Sequence, residues 1–126
     1  MKFIILTVLV VALASQVYCN VNRNVNELAC ITETSVHKGL VEHAANGQFE
    51  DARELKCYFK CYYQNAGYMN TAGKIQADTL RANIPAGISK NMANKAIDLC
   101  AVRKGNDACE TAYAVQKCLV ENNLKY

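Results

Sequence analysis

From residue 21 to residue 121, apolar side chains recur at spacings of three and four and almost nowhere alternate. This is the pattern of one helix after another. A first predicted helix runs from about Val21 to Thr34, with Val25, Leu28, Ala29 and Thr32 on one face. A short second one runs from His37 to Ala45 and stops at Asn46-Gly47, a natural left-handed cap. The third starts near Asp51, with Glu54 three positions on as a variant capping box. It carries Leu55, Cys57, Phe59, Cys61 and Tyr62 and ends at Ala66-Gly67. After a polar turn with two glycines over 67–73, a fourth spans Lys74 to Asn83, with Ile75, Thr79 and Leu80 inward. Ile84-Pro85-Ala86-Gly87 ends it. The fifth starts at Ser89, carries Met92, Ala93, Ala96, Leu99 and Cys100, and ends at Lys104-Gly105. The sixth starts at Asp107, with Glu110 at its third position, and turns Cys109, Ala112, Tyr113, Gln116, Leu119 and Val120 inward. A tail, Asn122 to Tyr126, remains. No repeat, low-complexity run or linker interrupts this series, so the expected fold class is all-α.

The N-terminus departs from that pattern. Lys2 supplies one positive charge, and Phe3 to Ala14 is a stretch of 12 residues that is apolar but for Thr7. Such a helix rises only about 18 Å against a hydrocarbon core of about 30 Å. The layout is that of a secretory signal peptide. Residues 1–19 are therefore expected to be removed by cleavage after Cys19, with Ala14 as the alternative. Residues 20–126 would form one secreted, extracellular domain without membrane insertion.

Composition narrows the picture further. The chain has 126 residues and a formal net charge of +3, and its 14 basic and 11 acidic residues are interspersed. No basic patch forms, which argues against nucleic acid as a partner. Between residues 20 and 126 there are 15 alanines against 21 leucines, isoleucines, valines and phenylalanines. A core of small side chains buries little area, and such a chain benefits from covalent staples. Beyond Cys19 six cysteines remain, Cys30, Cys57, Cys61, Cys100, Cys109 and Cys118. An even number in a small secreted chain predicts three disulfides, and no C-x2-C pair suggests zinc. Cys57 and Cys61 share a helix face about 6 Å apart along the axis. Cys109 and Cys118 lie on opposite sides of one helix. Each is thus expected to reach a different element, while the 15 formal connectivities stay open.

The spacing Cys30-x26-Cys57-x3-Cys61-x38-Cys100-x8-Cys109-x8-Cys118, with Leu55 to Cys61 and Asn70, Gly73 and Ile75, resembles the insect odorant-binding proteins in their six-cysteine form. The resemblance covers the whole mature chain. It implies six disulfide-stapled helices enclosing an apolar cavity, and the pairing Cys30–Cys61, Cys57–Cys109 and Cys100–Cys118. A tight hairpin about Gly105 would instead bring Cys100 near Cys109. The implied function is that of a secreted carrier for a small hydrophobic ligand, an odorant, pheromone or fatty-acid-like molecule. Sensillar lymph is the implied setting, with an odorant receptor as downstream partner and weak homodimerisation. A carrier or scavenger in saliva, venom or seminal fluid, or an interaction protein with a filled core, are the alternatives.

The residues expected to line the cavity are Leu80, Ile84 and Ile88 around the fourth and fifth helices, and Met92, Ala93 and Ala96 on the fifth. Tyr113, Gln116, Leu119 and Val120 would line it from the sixth, and Leu124 and Tyr126 from the tail. Tyr113 and Gln116 are the polar handles in this set. Phe59 and Tyr62 are read as packing. His37 and His43 are the candidates for a pH response, since histidine changes charge between pH 5 and 8. No zinc-protease, nucleophile-elbow or P-loop motif occurs, so neither an enzyme, a metal nor a cofactor is expected.

Overall fold

The computed structural model describes residues 25–126. The signal segment, its cleavage point and the first residues of the first predicted helix lie outside that range. Six helices follow one another: α1 (25–34), α2 (Lys38–Ala45), α3 (Arg53–Ala66), α4 (Ala77–Ala82), α5 (Lys90–Cys100) and α6 (Ala108–Glu121). The only strand-like pairing among the described residues is an isolated antiparallel bridge, Met69 to Ile75.

The long helices α3 and α6 pack against each other most extensively, and α5 covers α6. Between them lie Leu55, Tyr63, Ile97, Ala112, Val115 and Leu119, all sealed from solvent. Three disulfides clamp this centre. Cys30–Cys61 joins α1 to α3, Cys57–Cys109 joins α3 to α6, and Cys100–Cys118 joins α5 to α6. Cys100 is therefore not drawn to Cys109. Gly105 comes so close to Glu110 that a Cβ there would collide with the Glu110 side chain. The α5–α6 connection folds onto the start of α6 instead of forming a tight hairpin.

Local chemistry sets the helix ends. Asp107 caps α6 by accepting from the Glu110 amide at 2.9 Å, and Glu110 in turn accepts from the Asn106 amide at 3.0 Å. Arg53 reaches Asp107 at 2.7 Å, and the Lys56 ammonium bridges Asp51 at 2.7 Å and Glu110 at 3.8 Å. The first turns of α3 and α6 are thereby tied around the Cys57–Cys109 bond. Arg53 holds the Asp107 carboxyl below the usual range, and Lys56 does the same for Asp51. At the far end of α6, Asn123 is left-handed (φ 63°). Leu124 donates to the Leu119 carbonyl at 2.9 Å and Asn123 to that of Val120 at 3.0 Å. This Schellman turn sends the tail back over the fold, where Leu124 is buried.

Several expected elements are corrected. The α3 cap is Ala52, not Asp51, whose carboxylate is taken by Lys56. α4 begins at Ala77 rather than Lys74, because Ile75 enters the bridge and the Gln76 amide donates to the Tyr68 carbonyl at 2.7 Å. α5 ends at Cys100, four residues before Lys104. The predicted inner face of α1 looks outward: Leu28 is 63% exposed and Val25 54%. The Cys30–Cys61 bond rotates α1 so that Cys30 and Ile31 face in. Met92 and Leu99 likewise sit outside, with Met92 65% exposed. The buried stripe of α5 is Ala93, Ala96, Ile97 and Cys100, in line with the Cys100–Cys118 bond.

Candidate ligand-binding site

Two recesses meet at the tail. The smaller, about 240 Å³, lies between Glu27 of α1, Val41 and Ala45 of α2, Tyr58, Phe59 and Tyr62 of α3, Gln116 and Val120 of α6, and Lys125 and Tyr126. The larger, about 680 Å³, is bounded by Val25, Asn26 and Ala29 of α1, by Tyr62, Asn65 and Ala66 at the end of α3, and by Tyr68, Asn83 and Pro85. Tyr62, Lys125 and Tyr126 belong to both. The tail is thus the partition between an aromatic, mostly apolar hollow and a wider one edged with asparagines.

Aromatic contacts build the wall of the smaller recess. Tyr58 stands edge-on to Phe59 at 5.3 Å and lies 6.2 Å from Tyr62. Phe49 packs on both Phe59 (6.0 Å) and Tyr113 (5.7 Å). The tail is fixed by Tyr126, whose hydroxyl donates to the Leu80 carbonyl at 2.5 Å and whose ring meets Tyr68 at 5.1 Å. Burial pushes Tyr126 up to about 12, with Tyr68 adding to the shift. Burial also raises Tyr58, and the nearby Glu27 adds to it. These phenols stay protonated and neutral at any physiological pH.

The expected lining residues divide into four groups. Gln116, Val120 and Tyr126 line the smaller recess. Leu80, Ala93, Ala96, Leu119 and Leu124 are sealed in the core, and Ile84, Ile88 and Tyr113 are partly buried against it. The Tyr113 hydroxyl donates to the Glu50 carbonyl at 3.2 Å rather than facing either recess. Met92 is outside altogether. Glu27, Val41, Ala45 and Tyr58 escape sequence reasoning, and Phe59 and Tyr62, read as packing, stand in the wall. The missed signal is the doubled i, i+4 aromatic spacing of α3, in which Phe59 and Tyr63 go inward and Tyr58 and Tyr62 flank them. The histidines stay apart from both recesses: His37 caps α2 by accepting from Gly39, and His43 meets Glu50 at 3.1 Å.

Residues 22–122 match the PBP/GOBP family, the pheromone-binding and general odorant-binding proteins. The chain belongs to this family. It is 28% identical over 101 residues to odorant-binding protein 10 of Aedes aegypti, covering 79% of this chain and 71% of that one. Its fold is similar to the crystal structure of an odorant-binding protein of Locusta migratoria (TM-score 0.72, 25% identity, 80% and 78% of the two chains). It is also similar to odorant-binding protein 7 of Anopheles gambiae, solved with four disulfide bridges in complex with an azo compound (TM-score 0.66, 25% identity, 79% and 80%). PBP/GOBP proteins are secreted carriers of small hydrophobic molecules, not enzymes. No helix among the described residues is long and apolar enough to cross a membrane. Nor do the described residues hold a cluster of metal-binding side chains.

Proposed function

We propose that this protein carries an odorant, pheromone or fatty-acid-like molecule in the smaller recess, with Tyr58, Phe59, Tyr62, Val41 and Val120 against the chain and the tail as its outer wall. Delivery to an odorant receptor and weak self-association belong to the same proposal. The observation that carries it is the aromatic, one-sided hollow of about 240 Å³ in a member of a carrier family. A dry cavity of about 150 Å³ already accepts benzene, so this one suits a molecule of about ten carbons. Ten methylenes withdrawn from water contribute roughly 8 kcal/mol. That gross figure alone corresponds to about 1 μM, so micromolar affinity requires that ring contacts and polar groups of the wall offset the cost of immobilising the ligand.

One observation favours a second reading. Leu80, Ala93, Leu119 and Tyr63 fill the middle of the bundle and are sealed from solvent. A filled core would move the function to the surface. Titration of the oxidised protein with an environment-sensitive apolar fluorophore separates the two. Saturable micromolar binding, displaced by long-chain esters, alcohols or aromatics and lost on disulfide reduction, is expected of the carrier. A folded, helical, oxidised sample that binds nothing supports the surface reading. Whether the fluid is sensory, or is saliva, venom or seminal fluid, is answered by the tissue of expression.

A further inference from the structure

Gln116 is buried in the middle of α6, yet it lines the smaller recess. Its amide oxygen accepts a 2.6 Å hydrogen bond from the hydroxyl of Tyr63, a side chain fully sealed in the core. A phenol has one hydrogen to donate. With the amide turned the other way its nitrogen would face the hydroxyl, and the Tyr63 proton would lose the one acceptor it has among the described residues. Tyr63 therefore fixes which end of the amide points where. The Gln116 nitrogen, with two N–H groups, has no partner among the described residues. It is not sealed off either: among them only the Asn94 amide oxygen is both buried and unpaired. The nitrogen opens onto the recess. Other polar groups on the same wall do not choose between ligands in this way. The Tyr126 hydroxyl is engaged with Leu80, the Tyr58 and Tyr62 hydroxyls can either donate or accept, Glu27 is a carboxyl, and Lys125, a donor only, lies exposed to solvent on the tail.

We propose that the Gln116 amide nitrogen, oriented by Tyr63 as a positioning residue, is the specificity-determining donor of this recess, and that the ligand it selects carries a carbonyl oxygen. This rests on the carrier reading above and names its ligand class. A donor that can only donate rewards an acceptor and gives nothing to a hydrocarbon of the same shape.

The test compares displacement of the fluorophore by an alkane, a methyl ketone, a methyl ester and a free acid of equal chain length. The wild-type protein is expected to bind the carbonyl compounds about tenfold more tightly than the alkane, a ratio equivalent to one good hydrogen bond. Gln116→Met brings the ratio of carbonyl to alkane affinity close to one. Tyr63→Phe leaves the donor in place but lets the amide turn, so the ratio falls by about threefold. The double variant Tyr63→Phe/Gln116→Met removes both buried polar partners together, and it decides the question if Gln116→Met alone fails to fold. In that background the ratio is again expected near one. The ester and the acid separate a neutral ligand from an anionic one, and both are expected to lose their advantage. A wild-type ratio near one with alkane binding intact overturns this proposal alone, as does a ratio that survives in the double variant. Absence of all binding to the oxidised wild-type protein overturns the carrier reading, and this proposal with it.

Discussion

The two halves of the fold are held together by different means. On one side α1, α3, α5 and α6 are linked by three disulfides and by the charged ties between Arg53, Asp107, Lys56 and Glu110. On the other side residues 67–88, which contain α4, have no cysteine at all. Leu80, the Met69–Ile75 bridge, the Arg81 pairs with Asp78 and Asp98, and the Tyr126 hydroxyl hold them. The bonded side can afford small side chains such as Ala93, Ala96 and Ala112 in its core, because cross-links limit the unfolded chain. The unbonded side depends on a few large contacts, and the tail that divides the two recesses is anchored to it. Rigidity is thus concentrated behind the recesses and adjustability in front of them.

Removing a staple should produce the largest effect. Cys57→Ala/Cys109→Ala opens a loop with a sequence separation of 52. A loss of about 4 kcal/mol is expected from chain entropy, read from denaturant midpoints. A loss below about 1 kcal/mol would mean that the charged ties around that bond do most of the work. Next comes Leu80→Ala, which empties a sealed site on the unbonded side and is expected to cost about 3 kcal/mol. Hydrogen exchange should then rise in residues 67–88 well before it rises in α3 and α6. Uniform acceleration would show that the two sides unfold as one.

The smallest effect is expected from Tyr126→Phe, which removes one hydrogen bond, about 1 kcal/mol. It should speed ligand dissociation more than it lowers Tm. The same tyrosine gives the comparison a pH dependence. Its folded value lies near 12, above the ordinary 10, so its contribution is complete below pH 10 and is lost as pH rises through 12. Alkaline loosening should begin at the tail, and Tyr126→Phe should remove that early phase. An unchanged profile would place the first alkaline event at Tyr58 or Tyr63, both also raised by burial.

Much of the architecture is legible in the residues themselves. The six helices, the stop at Asn46-Gly47 and the Asp107 cap follow from local chemistry that the tertiary fold leaves alone. Helix orientation is less legible. Val25 and Leu28 make the better apolar stripe on α1, and Met92 and Leu99 add bulk to α5. Cys30 and Cys100 turn those faces out because a bonded cysteine must point at its partner. A covalent constraint of several kcal/mol outweighs the gain from burying one or two side chains. The recess was half visible for a related reason. Gln116 and Val120 come from α6 and Tyr126 from the tail that follows it, where local chemistry leaves fewer ways to face. Glu27, Val41, Ala45 and Tyr58 come from α1, α2 and the outer flank of α3, where the facing depends on the bonds.

The outward turn of α5 also decides how the protein ages. Met92 carries its thioether into solvent, while Met69 is sealed at 2% exposure. Peroxide adds one oxygen to an accessible methionine and converts it to a polar sulfoxide. In this fold that lesion falls on the rim of α5, away from both recesses. A preparation that has gained one oxygen at Met92 keeps its core and both recesses, so a mass shift there records storage history rather than lost capacity.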